Sequence, residues 1–260
     1  MKVITVAQQK GGSGKSTTCA ILASAAVAQN LAVTILDCDT DGQIMGWRNR
    51  MEAPVGKTQG AVVPTWPGTL TITRAPTSVG ALYEALDTLE EEGCALCLID
   101  TKPGSSVSTE EFMFAADLVI IPTKPKTAEL TLSVNTVAWL EKCKDSVSRE
   151  SAFPAVRTLL LDCPLEILRE LVQMEGRKKL SALDQVAVDT LRRLPHLSVP
   201  IQTSKDLANI LAYGPLPAAI AAHRAMAGQQ LRVSAFEGLL AVAELLFEEV
   251  MAISPVMGRA

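Results

Sequence analysis

The 260-residue sequence has no run of about 18 uninterrupted apolar residues, the length a helix needs to cross a bilayer. No cleavable leader is expected either, because a strand-forming run begins almost at once. Both absences lead us to expect a cytoplasmic chain with no membrane partner. The net charge is only −4, which excludes a strong global pull on nucleic acid but leaves room for a local basic face. Histidine is scarce. His196 and His223 fall in no metal-ligand spacing and read as structural. Of six cysteines only Cys94 and Cys97 make a close pair, and they sit in the apolar run from Cys94 to Ile99. Alternate side chains of a strand face opposite sides of a sheet, and no second pair completes a zinc site. Buried thiols in a reducing compartment are the expectation. There is no internal repeat and no low-complexity tract, so solenoids and arrays are excluded.

What is present is concentrated near the start. Val3–Val6 is a run of β-formers, Gln9–Thr18 is rich in glycine, and a helical stretch runs from Ser16 to about Gln29. Strand, glycine turn and helix is the arrangement that holds a nucleotide's phosphates. The glycines let backbone N–H groups turn inward, the helix N-terminus adds partial positive charge, and a lysine adds a full one. In such a loop the N–H groups of Gly11, Gly12, Ser13, Gly14, Lys15 and Ser16 wrap the β-phosphate. Lys15 bridges β- and γ-oxygens, the Ser16 hydroxyl ligates Mg²⁺, and Thr17 reaches the α-phosphate. The general pattern G-x-x-x-x-G-K-[ST] is not fully met, because Lys10 stands where its first glycine belongs.

Further along, strand and helix patterns alternate. Strands are expected at Ala32–Leu36, Leu70–Thr73, Cys94–Ile99, Asp117–Pro122, Val156–Leu161 and, last and short, Ser198–Val199. Helices are expected at Ser78–Glu92, near Thr109–Ala116, at Glu129–Cys143, about Leu165–Gln173, Lys179–Leu194, before Tyr213 and at Gln229–Met251. Asn30 and Gly93 read as helix stops, and Met51–Pro67 as an irregular excursion. The pattern implies an α/β fold, a P-loop NTPase-like, doubly wound and mainly parallel sheet flanked by helices, in one domain over residues 1–260. Two strands end in acids, Asp37-Cys38-Asp39 and Asp100. Carboxylates at that edge lie where α/β sheets bind ligands, and Asp100 after a hydrophobic strand can hold Mg²⁺, usually through its water.

The loop Lys10-Gly11-Gly12-Ser13-Gly14-Lys15-Ser16 resembles the deviant Walker A box, K-G-G-x-G-K-[ST], of the ParA/MinD family. The likeness continues in order. Ile35 to Asp39 is similar to the family's D-x-D strand, followed by Trp47 and Arg48. Leu98-Ile99-Asp100 with Pro103-Gly104 is similar to its Walker B region, and Ala115 to Thr123 to its A-A-D-x-V-x-I-P strand. Val199-Pro200 through Gly214-Pro215 resembles the segment beside the adenine. The sequence departs from the family's D-x-D-P-Q, since Asp39 is followed by Thr40-Asp41-Gly42-Gln43. It also has no N-terminal helix-turn-helix and no basic amphipathic C-terminal helix.

The resemblance implies a small ParA-type, weakly active Mg²⁺-dependent ATP hydrolase with ATP and Mg²⁺ as cofactors. It implies that Lys10 crosses to the ATP of a second subunit, so that a homodimer forms on ATP binding, much as an arginine finger completes a site. Asp39 would polarise the attacking water and stand in the metal shell, Asp37 would lie near Mg²⁺ and Lys15, and Pro200 beside the adenine. Implied partners are non-specific DNA, in a nucleoid-associated state, and a ParB-like or cargo-adaptor protein that stimulates hydrolysis. Candidate DNA contacts are Arg177-Lys178-Lys179, Arg192-Arg193, Lys205, Arg224 and Arg232. The function implied is segregation or positioning of DNA or of a protein cargo such as a carboxysome or chemosensory cluster. A metabolic ATP-dependent enzyme, like the dethiobiotin-synthetase or nitrogenase-reductase relatives, is the alternative.

Overall fold

A computed structural model of the chain describes residues 1–39, 42–53, 63–104, 107–146, 148, 151–171, 180–202, 204–226 and 228–257. In chain order the elements are β1 (Lys2–Val6), α1 (Lys15–Ala28), β2 (Val33–Asp37), α2 (Trp47–Glu52), β3 (Leu70–Arg74), α3 (Val79–Glu91), β4 (Leu96–Asp100), α4 (Val107–Phe114), β5 (Leu118–Thr123) and α5 (Thr127–Asp145). The second half holds β6 (Ala152–Phe153), β7 (Ala155–Cys163), α6 (Leu165–Leu171), α7 (Ala182–Leu191), β8 (Ile201–Gln202), α8 (Lys205–Ala208), α9 (Ile210–Tyr213), α10 (Leu216–Arg224), α11 (Gln230–Ala252) and β9 (Val256–Met257).

Seven strands form one sheet in the order β3-β2-β4-β1-β5-β7-β8, and every pair in it is parallel. β6 and β9 make a separate antiparallel pair. β2, β4 and β5 are buried along their whole length, as a parallel sheet covered on both faces requires. Their side chains divide by parity. Ile4, Val6, Leu96, Leu98, Leu118 and Ile120 join the core under α1, α10 and α11. Cys97 and Ile99 face Leu82 and Leu86 of α3, while Val119 and Ile121 face Val137 and Leu140 of α5. Cys94 and Cys97 are therefore free thiols of the interior.

α1 is buried nearly all round, which its small residues permit: Cys19, Ala20, Ala23, Ser24, Ala25 and Ala26 let the neighbouring helices approach closely. Ser24 Oγ donates to Ala20 O at 2.7 Å and accepts from Leu216 N at 3.1 Å, so one hydroxyl satisfies the first turn of α10 inside the core. Trp47 is fully buried, donates its indole N–H to Ile210 O at 3.2 Å, and meets Trp66 edge-on at 5.6 Å between ring centres. Burying a large apolar side chain contributes roughly 1.5–3 kcal/mol, and this contact ties the α2 segment to α9.

Boundaries shift by a few residues from those expected. α1 is closed by Gln29, and Asn30 follows it in the left-handed region at φ 56°. α3 is started by the Ser78 hydroxyl, which accepts from Ala81 N, and Gly93 follows it at φ 79°. The short strand expected at Ser198–Val199 forms instead at Ile201–Gln202, the last to join the seven-stranded sheet, and β9 follows it in the chain. Contact with β7 begins earlier, at an isolated parallel bridge between Thr158 and His196, where Leu197 N donates to Thr158 O at 2.9 Å; Pro200 has no N–H for a ladder, and the regular pairing of β8 follows it. Residues 54–62 of the expected excursion lie outside the described residues, while Met51 and Glu52 are helical.

Candidate functional site

The turn between β1 and α1 lies at the carboxyl end of the central strand, with strand order reversing around it. Open parallel sheets bind ligands at such switch points. Gly12 and Gly14 have φ of 73° and 102°, a region closed to most other residues. At Gly14 a Cβ would also run into the Leu161 side chain. Gly14 is the N-cap of α1, and no side chain caps the helix there. The first N–H groups of α1 thus have no capping side chain, which is the arrangement that receives an anion.

Lys15 is 7 % exposed, and its Nζ donates to the carbonyls of Gln8 at 3.2 Å and Lys10 at 3.4 Å. Burial lowers its pKa, and Asp100 and Asp39 act against that shift. A buried ammonium held, among the described residues, by carbonyls is ready to be stabilised by phosphate oxygens. Ser16 Oγ donates to Asp100 Oδ2 at 2.6 Å. Among the described residues Asp100 Oδ1 is buried with no hydrogen-bond partner. Burial pushes the Asp100 carboxyl up to about 7; the Ser16 hydrogen bond lowers it, Asp37 raises it and Lys15 lowers it. An orphaned carboxylate oxygen beside a hydroxyl at an anion-binding turn is a donor set of hard oxygens, and it fits Mg²⁺.

Asp37 is 1 % exposed and organises the loop that follows β2. It accepts from Asp39 N at 2.9 Å and Met45 N at 3.2 Å, and Arg74 approaches it at 3.7 Å. Burial raises its pKa, and the two backbone N–H groups act against the shift. A Cβ on Gly42 would collide with Asp37 Oδ2. Glycine at 42 is therefore what lets this loop close over Asp37; Thr40 and Asp41, which stand where the family has Pro-Gln, lie outside the described residues. Asp39 lines the cleft, and its carbonyl accepts from Arg74 and from Gly42 N.

Lys10 turns back onto its own chain. Its Nζ lies 3.0 Å from Glu129 Oε1 on the first turn of α5. The lysine is 44 % exposed at its side chain, the glutamate 7 %, and Glu129 Oε2 is buried with no partner among the described residues.

A cleft of about 360 Å³ runs along this edge. Gly12 to Thr17, Asp39, Gln43, Thr101 and Pro103 line it, together with Lys124, Leu161, Asp162, Leu207, Ala208 and Leu211. The structure so brings together Gly12, Ser13, Gly14, Lys15, Ser16, Thr17 and Asp39, with Asp100 joined through Ser16. Gly11 approaches Pro103 at the loop's start. Pro200 does not line the cleft; it borders a small apolar cavity with Leu160, Leu168 and His196.

The family model described as VirC1 protein matches residues 1–253. The chain belongs to the VirC1 protein family. This VirC1-family chain is 26% identical over 160 residues to the protein ParA of Rhizobium radiobacter, a match covering 62% of the chain and 65% of that protein. The matched stretch thus spans slightly less than two thirds of that relative. Two solved structures share the fold. MinD of Pyrococcus horikoshii OT3 complexed with Mg-ADP is 18% identical, with a TM-score of 0.60 over 97% of this chain and 98% of that one. ParA of pNOB8 bound to nonspecific DNA is 16% identical, with a TM-score of 0.58 over 96% and 97%.

In this VirC1-family chain the basic candidates divide. Arg192 pairs with Glu170 at 3.2 Å, Arg224 pairs with Glu237, and Arg232 lies over the Tyr213 ring at 5.8 Å. Arg193 and Lys205 are exposed, and Arg177, Lys178 and Lys179 lie outside the described residues. Both histidines bond to backbone carbonyls, His196 to Leu194 and His223 to Ala219. Sequence reasoning missed Glu129, Lys124 and Asp162. Each is a lone charged residue outside any motif, and only the sheet order brings it to the cleft's surroundings.

Proposed function

We propose that this chain is a nucleotide-operated switch that binds Mg-ATP at the β1–α1 turn, hydrolyses it slowly, and dimerises around two nucleotides to segregate or position DNA or a protein cargo. The observation that carries the reading is the buried Lys15 at an α1 N-terminus without a capping side chain, beside the orphaned Asp100 oxygen. A phosphate chain satisfies the first, and a divalent cation the second.

In this reading Lys15 neutralises the β- and γ-oxygens while the N–H groups from Gly11 to Ser16 hold the phosphates. Ser16 and Asp100 hold the metal, with Asp39 at the same edge, and a bound Mg²⁺ supplies charge neutralisation for the leaving phosphate. Asp39 orients the attacking water. Asp37, held by two backbone N–H groups, keeps the Asp39 loop in position. Lys10 leaves Glu129 and reaches the triphosphate held by a second copy, which makes dimerisation conditional on ATP.

The relatives support the two outputs. MinD was solved with Mg-ADP and pNOB8 ParA on nonspecific DNA. Exposed Arg193, Lys205 and Arg232 are the basic residues from which a DNA surface would be built, with an adaptor protein stimulating turnover. The working place is the nucleoid surface in the cytoplasm.

The test is calorimetric titration of ATP with and without Mg²⁺, paired with phosphate release, for wild type, Lys15→Ala and Asp39→Ala. Binding lost in Lys15→Ala, and turnover lost with binding kept in Asp39→Ala, support the reading. A wild-type chain that binds no nucleotide ends it.

A further inference from the structure

Gln8 is buried just past the end of β1, where an amide is costly unless its groups are bonded. Both ends of this amide have partners. Its Oε1 accepts from Gln9 N at 2.9 Å, and its Nε2 donates to Ser133 Oγ at 3.0 Å and to Pro122 O at 3.4 Å. Ser133 is fully buried on the second turn of α5. Its hydroxyl donates to Glu129 O at 3.0 Å and lies 2.8 Å from Thr123 Oγ1 at the end of β5. These bonds join the start of the β1–α1 turn to α5 and β5, in an interior where linked hydrogen bonds reinforce one another.

The same residues are joined a second way. Lys15 Nζ donates to Gln8 O and to Lys10 O, and Lys10 Nζ meets Glu129 Oε1. Lys15, Gln8, Ser133, Glu129 and Lys10 therefore form a closed ring of contacts that starts and ends at one ammonium. The ring is not equally firm all round. Its Gln8–Ser133 side is buried and neutral, whereas the Lys10–Glu129 pair is half-solvated at the lysine and holds weakly by itself. An ammonium has three hydrogens, and Lys15 gives two of them to this ring. A phosphate at the turn competes for those hydrogens directly, and a ligand shifts a population towards the arrangement it binds better. Once Lys15 turns to phosphate the ring is open, and the contact with least to hold it is Lys10–Glu129.

We propose that Gln8 and Ser133 are positioning residues that pin the start of the turn to α5, so that nucleotide binding at Lys15 moves Lys10 off Glu129 and leaves β1 in place. This rests on the reading of the β1–α1 turn as a phosphate site. Without nucleotide the pin aims Lys10 at Glu129. With the pin removed, the half-solvated pair opens unaided, and the release of Lys10 no longer depends on the nucleotide.

The experiment follows acetylation of the Lys10 amine in the full chain by an N-hydroxysuccinimide acetate ester, read by peptide mass spectrometry. Exposed Lys142 on the last turn of α5 is the internal reference. Acetylation requires an amine free of its carboxylate. The rate is taken without nucleotide and with Mg-ADP at a concentration that calorimetry shows to be saturating. ADP brings phosphate to Lys15 without the third phosphate on which dimerisation is conditional. In wild type the relative rate at Lys10 is expected to rise about fivefold with Mg-ADP, as a weak ion pair is released. Two variants test the pin from its two sides, Ser133→Ala and Gln8→Met, an apolar replacement of similar length. Each is expected to react at the raised rate without nucleotide, with Mg-ADP changing it by less than about twofold. Thr136→Val is the control, because the Thr136 hydroxyl bonds to Leu132 O on the same helix but outside the ring; it should behave as wild type. A wild type that binds Mg-ADP with no change at Lys10, slow nucleotide-free labelling in either folded pin variant, or a Thr136→Val chain that behaves like Ser133→Ala overturns the proposal while leaving the phosphate site standing. A wild type that binds no nucleotide overturns both.

Discussion

Lys10 Nζ and Glu129 Oε1 are 3.0 Å apart within one chain, so the lysine that we propose reaches a second copy's nucleotide is held at home by a buried carboxylate. To cross, it must leave Glu129 with no partner at either oxygen among the described residues. For a half-solvated lysine that cost is about 1 kcal/mol. Glu129→Gln should therefore lower the ATP concentration needed for self-association roughly fivefold, read by sedimentation velocity across an ATP titration. An unchanged or raised midpoint would show that Glu129 only packs α5.

Asp100 is the second case of a charge waiting for a partner. Its Oδ1 is buried and without a partner among the described residues, while Oδ2 accepts from Ser16. Asp100→Asn keeps an acceptor for Ser16 and removes the buried charge. The variant should melt at the same temperature or higher without nucleotide, and the Mg²⁺-dependent part of its ATP affinity should fall at least about tenfold. A lowered melting temperature together with normal Mg²⁺ dependence would remove Asp100 from the metal site.

Two glycines should tolerate no side chain. Gly14→Ala meets both a φ of 102° and the Leu161 side chain, and Gly42→Ala meets Asp37 Oδ2. Each should cost about 1–3 kcal/mol of stability, measured by denaturant unfolding. Gly14→Ala should also lose ATP binding, whereas Gly42→Ala should disturb turnover first, because it displaces the loop that carries Asp39.

The core makes an independent prediction. Ser24→Ala removes the acceptor for Leu216 N between α1 and α10. It should destabilise the chain by about 1–3 kcal/mol, the cost of an unpaired buried N–H, with nucleotide affinity unchanged. A loss below a few tenths of a kcal/mol would mean that another acceptor replaces the hydroxyl.

Much of this architecture is legible in the sequence because its signals are local. The β-branched run at Val3–Val6, the glycines before Lys15, and the acids ending β2 and β4 each stand beside the feature they serve. α10 was not legible: Leu216–Arg224 follows Pro215, is rich in alanine, and owes its place to packing on α1 and α11. Glu129, Lys124 and Asp162 were missed for a different reason. Lys124 and Glu129 come from the β5–α5 junction and Asp162 from β7, and what relates them to the turn is the strand order β4-β1-β5-β7, which no window of residues contains. Pro200 illustrates the reverse. It sits in a family-like segment, yet it borders a different cavity.

The most direct measurement is the solution mass of wild type and Lys10→Ala with Mg²⁺ and a slowly hydrolysed ATP analogue, by multi-angle light scattering. The account predicts that wild type doubles in mass and that Lys10→Ala binds the analogue but does not. A wild-type chain that keeps its monomer mass at saturating analogue, or a Lys10→Ala chain that doubles equally, would contradict it.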